Sequence, residues 1–558
     1  MSTTPPSRRD ILVSKTLADV ATGISQAELP DRRRQELKSA LRTVARALGR
    51  RLEDVPADPR LLANRLAEVA PVAIGLSPGR WANVKSLMRS AMSLVVEVGP
   101  SRHCSPLSPS WAALWDRLPT RTARTRLSRF MHFASAAEIE PGAVTTETFA
   151  AFRVYLDATL LKDPDRVYCA TIDGWRAARP VIVGWPDVEI VRPNRHNLWA
   201  LPLENFPESF QRDLEAWLNR LSGHDLMSDG PLRPVRPITR RSHAAQIRRF
   251  ASAVVLSGRD ITTITRLAEL TTIDAFATGL TFLLKQRANK SAGVINIAGT
   301  LKAIARHHVG AEQHHLDQMT RIIRRIGRRQ QGLTPKNRAR LRPLDDPQNV
   351  CALLGLPAKL MGLVSRERRP YKAALLAQTA VAIEILEMTL MRMRNLVALD
   401  LEKHMKRSGR NGVLHIVIGG DETKNRDPQE FPVDPQSVAL IDTYLADHRP
   451  ILCDRNSSAL FPGKNGGPKH ANTLAEQIKG AVWTHAGLRW NPHLFRHAGA
   501  KLHLDENPGC YGIPRRVLGH RAVATTETFY SGQEMAAAVR HFDQTILKLR
   551  KRGEANDD

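Results

Sequence analysis

Several residue types are scarce in this sequence, and each shortage narrows the possibilities. Its five cysteines, among 558 residues, are far apart and form no Cys-x-x-Cys pair. Free thiols in a reducing compartment are therefore expected, rather than a disulfide framework or a structural zinc site. Acidic residues are also few, with 55 Asp plus Glu against 82 Lys plus Arg and a formal net charge of +27. This excess favours a polyanionic partner, although charge alone leaves ribosomal, RNA-binding and membrane-surface roles open.

Long apolar runs are missing as well. The first ten residues carry charges with no apolar core behind them, so no secretory signal is predicted. The run from Ala373 to Met391 is interrupted by Gln378, Glu384 and Glu387, which indicates a buried helix rather than a membrane span. A cytoplasmic protein that does not bind membranes is expected. Neither a Walker-type Gly-rich loop nor a carboxylate cluster for two metals is present, so no cofactor is predicted.

The C-terminal third concentrates groups that suit the breaking of a phosphodiester. It contains NPHLFRH at 491–497, LGH at 518–520 and TTETFY at 525–530. Fixed cationic donors stabilise the charge that spreads over a phosphoryl group under attack. His493 and Arg496 are three residues apart, so they share one face if this segment is helical.

A phenol such as that of Tyr530 is a poor nucleophile at neutral pH, because its ordinary pKa is about 10. A neighbour has to take its proton, and His493 and His520 are the candidates. Each short motif alone has a high false-positive rate, since a His-x-x-Arg is more often a solvated helix face. The ordered set of motifs carries the prediction.

That order resembles the tyrosine recombinases of the phage integrase family, in which Arg, a hairpin Lys, His-x-x-Arg, Leu-Gly-His and Tyr follow one another. Arg392 falls at the position of the first Arg, and Arg394 is its competitor. Lys424 matches the hairpin Lys, between a predicted strand at Val413–Ile418 and a return at Phe431–Val433.

Two departures from the family pattern bear on structure. Asn395 stands where relatives often have an acidic residue, which affects how Arg392 is held. The gap from His520 to Tyr530 is one residue longer than in many relatives, so a loop or irregular turn is expected before Tyr530.

The resemblance implies site-specific recombination without ATP. Tyr530 attacks a scissile phosphate and leaves a 3′-phosphotyrosyl link, while Arg392 and Arg496 hold the non-bridging oxygens. The energy of the broken phosphodiester is kept in the covalent link. The predicted catalytic residues are Arg392, Lys424, His493, Arg496, His520 and Tyr530.

By the same resemblance, Lys424 protonates the leaving 5′-oxygen, and His493 with His520 orients or deprotonates the nucleophile. Two other functions stay open from sequence: a type IB topoisomerase that only relaxes DNA, and a non-catalytic architectural DNA-binding protein. The resemblance also implies that the reaction serves the integration or excision of a mobile element.

The upstream half contains a weak internal repeat. Arg-rich amphipathic helices followed by a short turn are predicted at 32–56, 121–145 and 240–265, with later helices at 81–95, 172–183 and 294–307. The expected fold is mainly α and multidomain, with SAM-like helical bundles and a mixed α+β catalytic domain containing a small hairpin or sheet. The predicted domains are 1–100, 101–230, 231–328 and 340–558, with a basic linker at 327–343.

The third bundle resembles the family's core-binding domain, which implies duplex DNA contact through its first helix. The candidate DNA-binding residues are Arg240, Arg241, Arg248 and Arg249. The implied partners are double-stranded recombination sites, on which four copies of the chain assemble, and related recombinases or accessory proteins, in a bacterial, nucleoid-associated setting.

A last amphipathic helix is predicted at about 534–549. Its apolar positions are Met535, Val539, Phe542, Ile546 and Leu549, spaced three or four apart. It packs either on its own domain or, as the resemblance implies, on a neighbouring protomer.

Overall fold

The computed structural model describes residues 15–95, 106–160, 163–193, 199–223, 234–286, 291–327, 332–407, 412–423, 425–453, 456–530, 539 and 542–549. Over these residues the fold is mainly helical with one small antiparallel sheet, which confirms the predicted fold class. The chain forms two compact units: residues up to Arg192 belong with those from Leu333 onward, and Pro193 to Gly332 form the other. No helix in the described ranges is long and apolar enough to cross a membrane.

The first bundle lies in the larger unit. It consists of α1 (Leu17–Gln26), α2 (Asp31–Ala47), α3 (Pro59–Ala67) and α4 (Pro78–Met92). In α2, Leu37, Leu41 and Val44 recur at helical spacing and are fully buried. Glu68, just after α3, pairs with Arg489 at 3.1 Å, so this bundle contacts the C-terminal part of the same unit.

The second bundle follows in the same unit and has an aromatic core. Its helices are α5 (Pro109–Asp116), α6 (Arg121–Ala136), α7 (Thr146–Thr159) and α8 (Pro164–Ala178). The rings of Phe130 and Phe149 stack with centroids 4.4 Å apart, and Trp175 meets both edge-on. Such aromatic pairs add about 0.5–1.5 kcal/mol each beyond the apolar area they bury.

The smaller unit is built around α10. Its helices are α9 (Glu208–Arg220), α10 (Pro237–Leu256), α11 (Leu267–Thr271), α12 (Ile273–Gln286), α13 (Ser291–Ile304) and α14 (Gln313–Ile326). Phe210 and Trp217 of α9 share one buried cluster with Ile247 and Phe250 of α10. By packing, α9 therefore belongs with the third bundle, which begins before the predicted limit at residue 231.

The C-terminal helices of the larger unit form the domain that holds the predicted catalytic residues. They are α15 (Pro335–Leu341), α16 (Pro347–Leu354), α17 (Leu356–Val364), α18 (Pro370–Thr389), α19 (Met393–Val397), α20 (Pro435–Thr443), α21 (Arg449–Leu452), α22 (Ala471–Ala486), α23 (His493–Glu506), α24 (Gly512–Leu518) and α25 (Val523–Tyr530). Leu333 and Leu341 are buried in the core of this domain. Part of the stretch predicted as a linker is thus helical and packed, because its leucines have an apolar surface to cover.

Helix α18 is the buried centre of this domain, as its interrupted apolar run predicted. Its polar Gln378 is fully buried and donates a hydrogen bond from Nε2 to the hydroxyl of Tyr444 at 3.2 Å. The Tyr444 hydroxyl in turn donates to the carbonyl of Leu460 at 3.0 Å. Gln378 and Tyr444 therefore satisfy each other's buried polar groups, as a closed core favours.

The sheet confirms the predicted hairpin. Its strands are β1 (Met405–Arg407), β2 (Leu414–Ile418) and β3 (Gln429–Pro432), in that spatial order and antiparallel. Leu414, Ile416 and Ile418 alternate inward along β2 and join the core formed around α18. This anchors the β2–β3 connection, which carries position 424, to the domain core.

Candidate active site

The first predicted catalytic arginine lies just beyond the buried end of α18. Leu390 takes a positive φ of 49° and ends that helix, and Arg392 has extended backbone where α19 begins. The backbone N–H of Asn395 donates to the carbonyl of Arg392 at 2.8 Å. Arg392 is half-buried, and burial lowers its pKa, whereas its competitor Arg394 is exposed. The packing therefore favours Arg392 for contact with a substrate.

Helix α23 carries the His-x-x-Arg pair. His493 is its first residue, and the N–H of His493 donates to Oδ1 of Asn491 at 3.0 Å. Loss of solvent around the ring, and then the charges of Arg496 and Arg392, lower the pKa of His493. The two arginines therefore act on the same imidazole, which brings the predicted groups of α19 and α23 together.

The Arg496 guanidinium joins the ends of two other helices. It is 4 % exposed and donates from Nη1 to the carbonyl of Leu390 and from Nη2 to that of Leu518 at 2.7 Å. Burial, with the charge of Arg392 acting in the same direction, lowers the pKa of Arg496 to about 10. Two cations held this close repel each other, and an anion bound between them would offset that repulsion.

His520 stands in the turn after α24. Gly519 has a φ of 61°, a left-handed conformation that glycine adopts without strain, and it directs the chain back toward the arginines. Nδ1 of His520 and Oγ1 of Thr526 are 3.0 Å apart. Burial, followed by the charges of Arg496 and Arg392, lowers the pKa of His520 to about 4. The imidazole is therefore neutral near pH 7.

Tyr530 is the last residue of α25, so the predicted loop or irregular turn before it is wrong. Only Arg521 and Ala522 separate His520 from a regular helix. Within it, the buried Thr526 contacts His520 and accommodates the longer spacing. The phenol of Tyr530 is 1 % exposed, and burial raises its pKa.

The hydroxyl of Tyr530 lies 2.8 Å from Nδ1 of His497, a residue absent from the predicted set. His497 is buried, and its pKa is lowered to about 3 by burial and then by the nearby cationic and imidazole groups. A neutral imidazole can accept the phenol's hydrogen bond. The available signal was helical spacing, because His497 follows His493 by four residues and so shares its face.

Lys424 lies outside the described residues, but the hairpin on either side of it is held at the site. Nδ2 of Asn425 donates to the carbonyl of Gly519 at 2.6 Å, and Nη2 of Arg521 donates to the carbonyl of Asn425 at 2.6 Å. On the other side, a carboxylate oxygen of Glu422 lies 3.0 Å from Nε2 of His404. The hairpin end thus adjoins the turn that presents His520.

A groove of about 900 Å³ opens between this hairpin and the turn. Arg392 and His520 line it together with Asn425 and Phe431. The other arginines along it are Arg515, Arg516 and Arg521, and its acidic residues are Asp427 and Glu430. Its positive balance suits an extended anionic chain.

The candidate DNA-binding arginines all lie on α10 in the smaller unit. Arg241 is exposed, whereas Arg240, Arg248 and Arg249 are half-buried. Among the residues that the structure describes, no group of three His, Cys, Asp or Glu side chains is arranged to hold a metal ion.

Residues 363–535 match the family model described as the phage integrase family. The segment contains every predicted catalytic residue, so this part of the chain matches a catalytic domain of that family, which supports a tyrosine-type site-specific DNA recombinase. The topoisomerase and architectural alternatives are not favoured. A comparison with the curated proteins gives no match.

Solved structures of recombinases show partial similarity. A DNA-bound XerH recombinase is 15 % identical, with a TM-score of 0.36, over 55 % of this chain and 80 % of that one. The Tn1549 transposon integrase in complex with transposon right end DNA is 16 % identical, with a TM-score of 0.37, over 59 % and 98 %. A lambda integrase dimer bound to a core site is 14 % identical, with a TM-score of 0.35, over 57 % and 94 %. The family assignment rests on the sequence match.

The depressed pKa values of His497 and His520 predict an acid-sensitive catalytic domain. Below pH 6.5 the unfolded chain binds protons at both histidines that the folded chain excludes until about pH 3 to 4. Stability should therefore fall as the pH drops from 6.5 toward 4, by at most about 1.4 kcal/mol per pH unit for each histidine. Thermal unfolding of His497→Gln and His520→Gln variants should show a shallower dependence on pH. If the stability of these variants depended on pH as steeply as that of the natural chain, the prediction would be contradicted.

Proposed function

We propose that this enzyme cleaves and rejoins DNA at specific sites, with Tyr530 as the nucleophile and a 3′-phosphotyrosyl intermediate. The supporting observation is the convergence of two sheltered arginines and neutral imidazoles around one buried phenol. Arg392 and Arg496 act on the pKa of both His493 and His520, and Arg496 also acts on that of Tyr530. These groups come from four separate helices and turns. Catalytic groups with perturbed pKa values typically cluster in this way.

The arginines stabilise the charge of the transition state. Arg496 uses two N–H groups on the carbonyls of Leu390 and Leu518, and a guanidinium has five, so three are left for phosphate oxygens. Arg392 supplies a second fork from the N-terminal end of α19. Because both groups are fixed before the substrate binds, little reorganisation is needed during the reaction.

In the cleavage step, Oη of Tyr530 bonds to phosphorus and the bond from phosphorus to the 5′-oxygen breaks. The phenol proton passes to an imidazole, for which His493 and His520 are the candidates. His497, beside His493, holds the phenol hydroxyl until Tyr530 is released. The leaving 5′-oxygen takes a proton from Lys424. The free 5′-hydroxyl of a partner strand then attacks the phosphotyrosyl link and reverses these transfers, so no external energy source is required.

The buried position of Tyr530 implies a resting state. Its ring packs among Leu390, Leu504 and Leu518, and its hydroxyl contacts His497. A scissile phosphate reaches that oxygen only after α25 moves. We therefore include release of Tyr530 from His497, triggered by DNA binding, as a step before cleavage.

The tail supports assembly of several protomers on DNA. Residues 542–549 are helical, and position 539 is too, while the rest of the predicted tail helix lies outside the described residues. Val539 is 48 % exposed, Phe542 64 % and Leu549 56 %. An apolar stripe that its own domain leaves open fits docking on a neighbouring protomer, which couples assembly to the Tyr530 segment. Four copies on paired DNA sites are the proposed complex, acting on the nucleoid of a bacterial cell.

The nucleophile is tested by Tyr530→Phe, which removes one oxygen and little volume. Duplex binding should persist, while adducts with nicked candidate-site DNA that survive denaturant should vanish. Tyr511→Phe, a half-buried tyrosine packed against the same cluster, is the matched control and should keep adduct formation. The assignment is wrong if Tyr530→Phe still forms adducts.

The choice of arginine is tested by comparing Arg392→Lys with Arg394→Lys. Losing the planar fork of a preorganised donor costs about 3 to 4 kcal/mol, or roughly 100- to 1,000-fold in the cleavage rate. Because Arg394 is exposed, its substitution should change the rate of adduct formation only a few-fold. Similar losses at both positions would remove the support for Arg392.

The tail is tested by Phe542→Ser, an exposed position at which the folded domain loses little packing. Single-site binding should stay within about two-fold, while the four-protomer complex, measured by sedimentation, and recombination should be lost. Val183→Ser, at a residue that is 83 % exposed, is the control. A complex that forms normally in the Phe542 variant would show that the stripe has no role in assembly.

A further inference from the structure

The three helical bundles repeat one local structure in matching register. The longest helices of the three bundles are α2, α6 and α10. Each is followed by a residue with positive φ: Gly49 at 63°, Glu138 at 56° and Gly258 at 108°. The next residue then donates its N–H to a carbonyl five positions back. These bonds run from Arg50 to Ala45 at 3.0 Å, from Ile139 to Ala134 at 2.9 Å and from Arg259 to Val254 at 3.4 Å. Each helix therefore ends in the same Schellman-type cap.

The likeness continues beyond the cap. A single 3₁₀ turn follows in each bundle, at Leu52–Asp54, Pro141–Ala143 and Ile261–Thr263. Immediately after it come Val55, Val144 and Ile264, which are 0 %, 2 % and 0 % exposed. The same cap, turn and buried β-branched residue at the same spacing indicate one module built three times.

Counting back from the shared cap, Arg32 of α2, Arg121 of α6 and Arg241 of α10 occupy the same position. Arg129 of α6 and Arg249 of α10 likewise correspond. The α10 copy carries the arginines that the sequence assigned to DNA contact. The α6 copy therefore presents Arg121 and Arg129 where α10 has arginines, and adds Arg124 and Arg126 at positions that α10 fills with Ala244 and Gln246.

The copies differ in how their charge is balanced. In α2, Arg32 and Arg33 lie 3.5 and 3.2 Å from Glu36, and Arg34 lies 2.6 Å from Asp31. Helix α6 contains no acidic residue at all. Within the described part of the second bundle, the arginines in ion pairs are Arg153, Arg179 and Arg192, none of which lies on α6.

The arginines of α6 are also held on a rigid backbone. Arg121, Arg124 and Arg126 are exposed, and Oγ1 of Thr171 in α8 donates to the carbonyl of Arg126 at 3.0 Å. Arg129 is half-buried, and its pKa is lowered first by burial and also by the charge of Arg89 from the first bundle. Like charges gathered without a carboxylate between them form a surface that anions stabilise.

We propose that the second bundle is an additional duplex-DNA-binding module, in which Arg121, Arg124 and Arg126 contact backbone phosphates. This inference rests on the proposed function in taking DNA as the substrate, and it extends the contacted DNA beyond the core site. Arg121 and Arg126 are separated by roughly 7.5 Å along the helix axis, enough to reach more than one phosphate. In the described part of this bundle every aromatic side chain is buried or half-buried, and Trp111, Phe130, Phe149 and Trp175 lie fully in its core. That favours duplex over single-stranded DNA, which binds by stacking on exposed rings.

The test measures the salt dependence of binding by the full chain to a 60-bp duplex of random sequence. Each phosphate contact contributes about 0.9 to the slope of log Kd against log salt concentration. Replacing Arg121, Arg124 and Arg126 together with Gln should reduce that slope by about 2 to 3. The matched control replaces Arg32, Arg33 and Arg34 with Gln, in the copy whose arginines are already ion-paired, and should leave the slope unchanged.

Replacing the same three α6 arginines with Lys should restore the slope, because phosphates are contacted mainly through charge. If the Gln variant kept the salt dependence of the natural chain, the inference would be overturned. It would also be overturned if the Gln variant lost self-association but still bound DNA normally, because the surface would then bind protein. Adduct formation on a short nicked core site separates the two proposals. If the natural chain forms no adduct, the proposed function fails; if adducts form and the slope does not change, only the second DNA-binding module is excluded.

Discussion

The arrangement of the site depends on one buried guanidinium. Arg496 donates to the carbonyls of Leu390 and Leu518, which lie at the C-terminal ends of α18 and α24. The same contacts fix Arg392, two residues after Leu390, and His520, two residues after Leu518. A charge so deeply buried costs free energy unless it is well hydrogen-bonded. The carbonyls supply part of that compensation, and a bound phosphate would supply the rest.

A second constraint is that the site gathers positive charge before any substrate arrives. Burial lowers the pKa of Arg392, and burial followed by the charge of Arg392 lowers that of Arg496. Burial and neighbouring charged groups lower the pKa of His497 and His520. The histidines are consequently neutral near pH 7 and can accept protons, while the arginines keep their charge. In the proposed mechanism, the acid–base groups and the charge-stabilising groups are thus separated by environment, although all of them lie within one cluster.

The three upstream bundles are versions of one helical module. In its first copy the arginines of α2 are balanced by acidic neighbours, and the bundle contacts the C-terminal part of its unit through Glu68 and Arg489. In its second copy α6 carries no acidic residue. The shared cap and turn preserve the fold, so the charges on the exposed face can change without loss of the core. That separation lets one architecture serve protein contact in one copy and, as proposed, DNA contact in another.

The sequence by itself determined the fold class, the buried helix α18, the hairpin and the family resemblance of the C-terminal third. These features follow from hydrophobic periodicity within single elements and from short motifs, both of which depend only on residues close together in the sequence. Tertiary structure alone decided that His497 holds the Tyr530 hydroxyl, that Arg392 is sheltered and Arg394 exposed, and that α25 is regular up to Tyr530. It also placed Leu333 within a domain core rather than in a linker, and α9 in the third bundle rather than the second. Each of these contacts and burials depends on which helix ends, far apart in the sequence, pack together. The spacing of residues along the chain does not specify that packing.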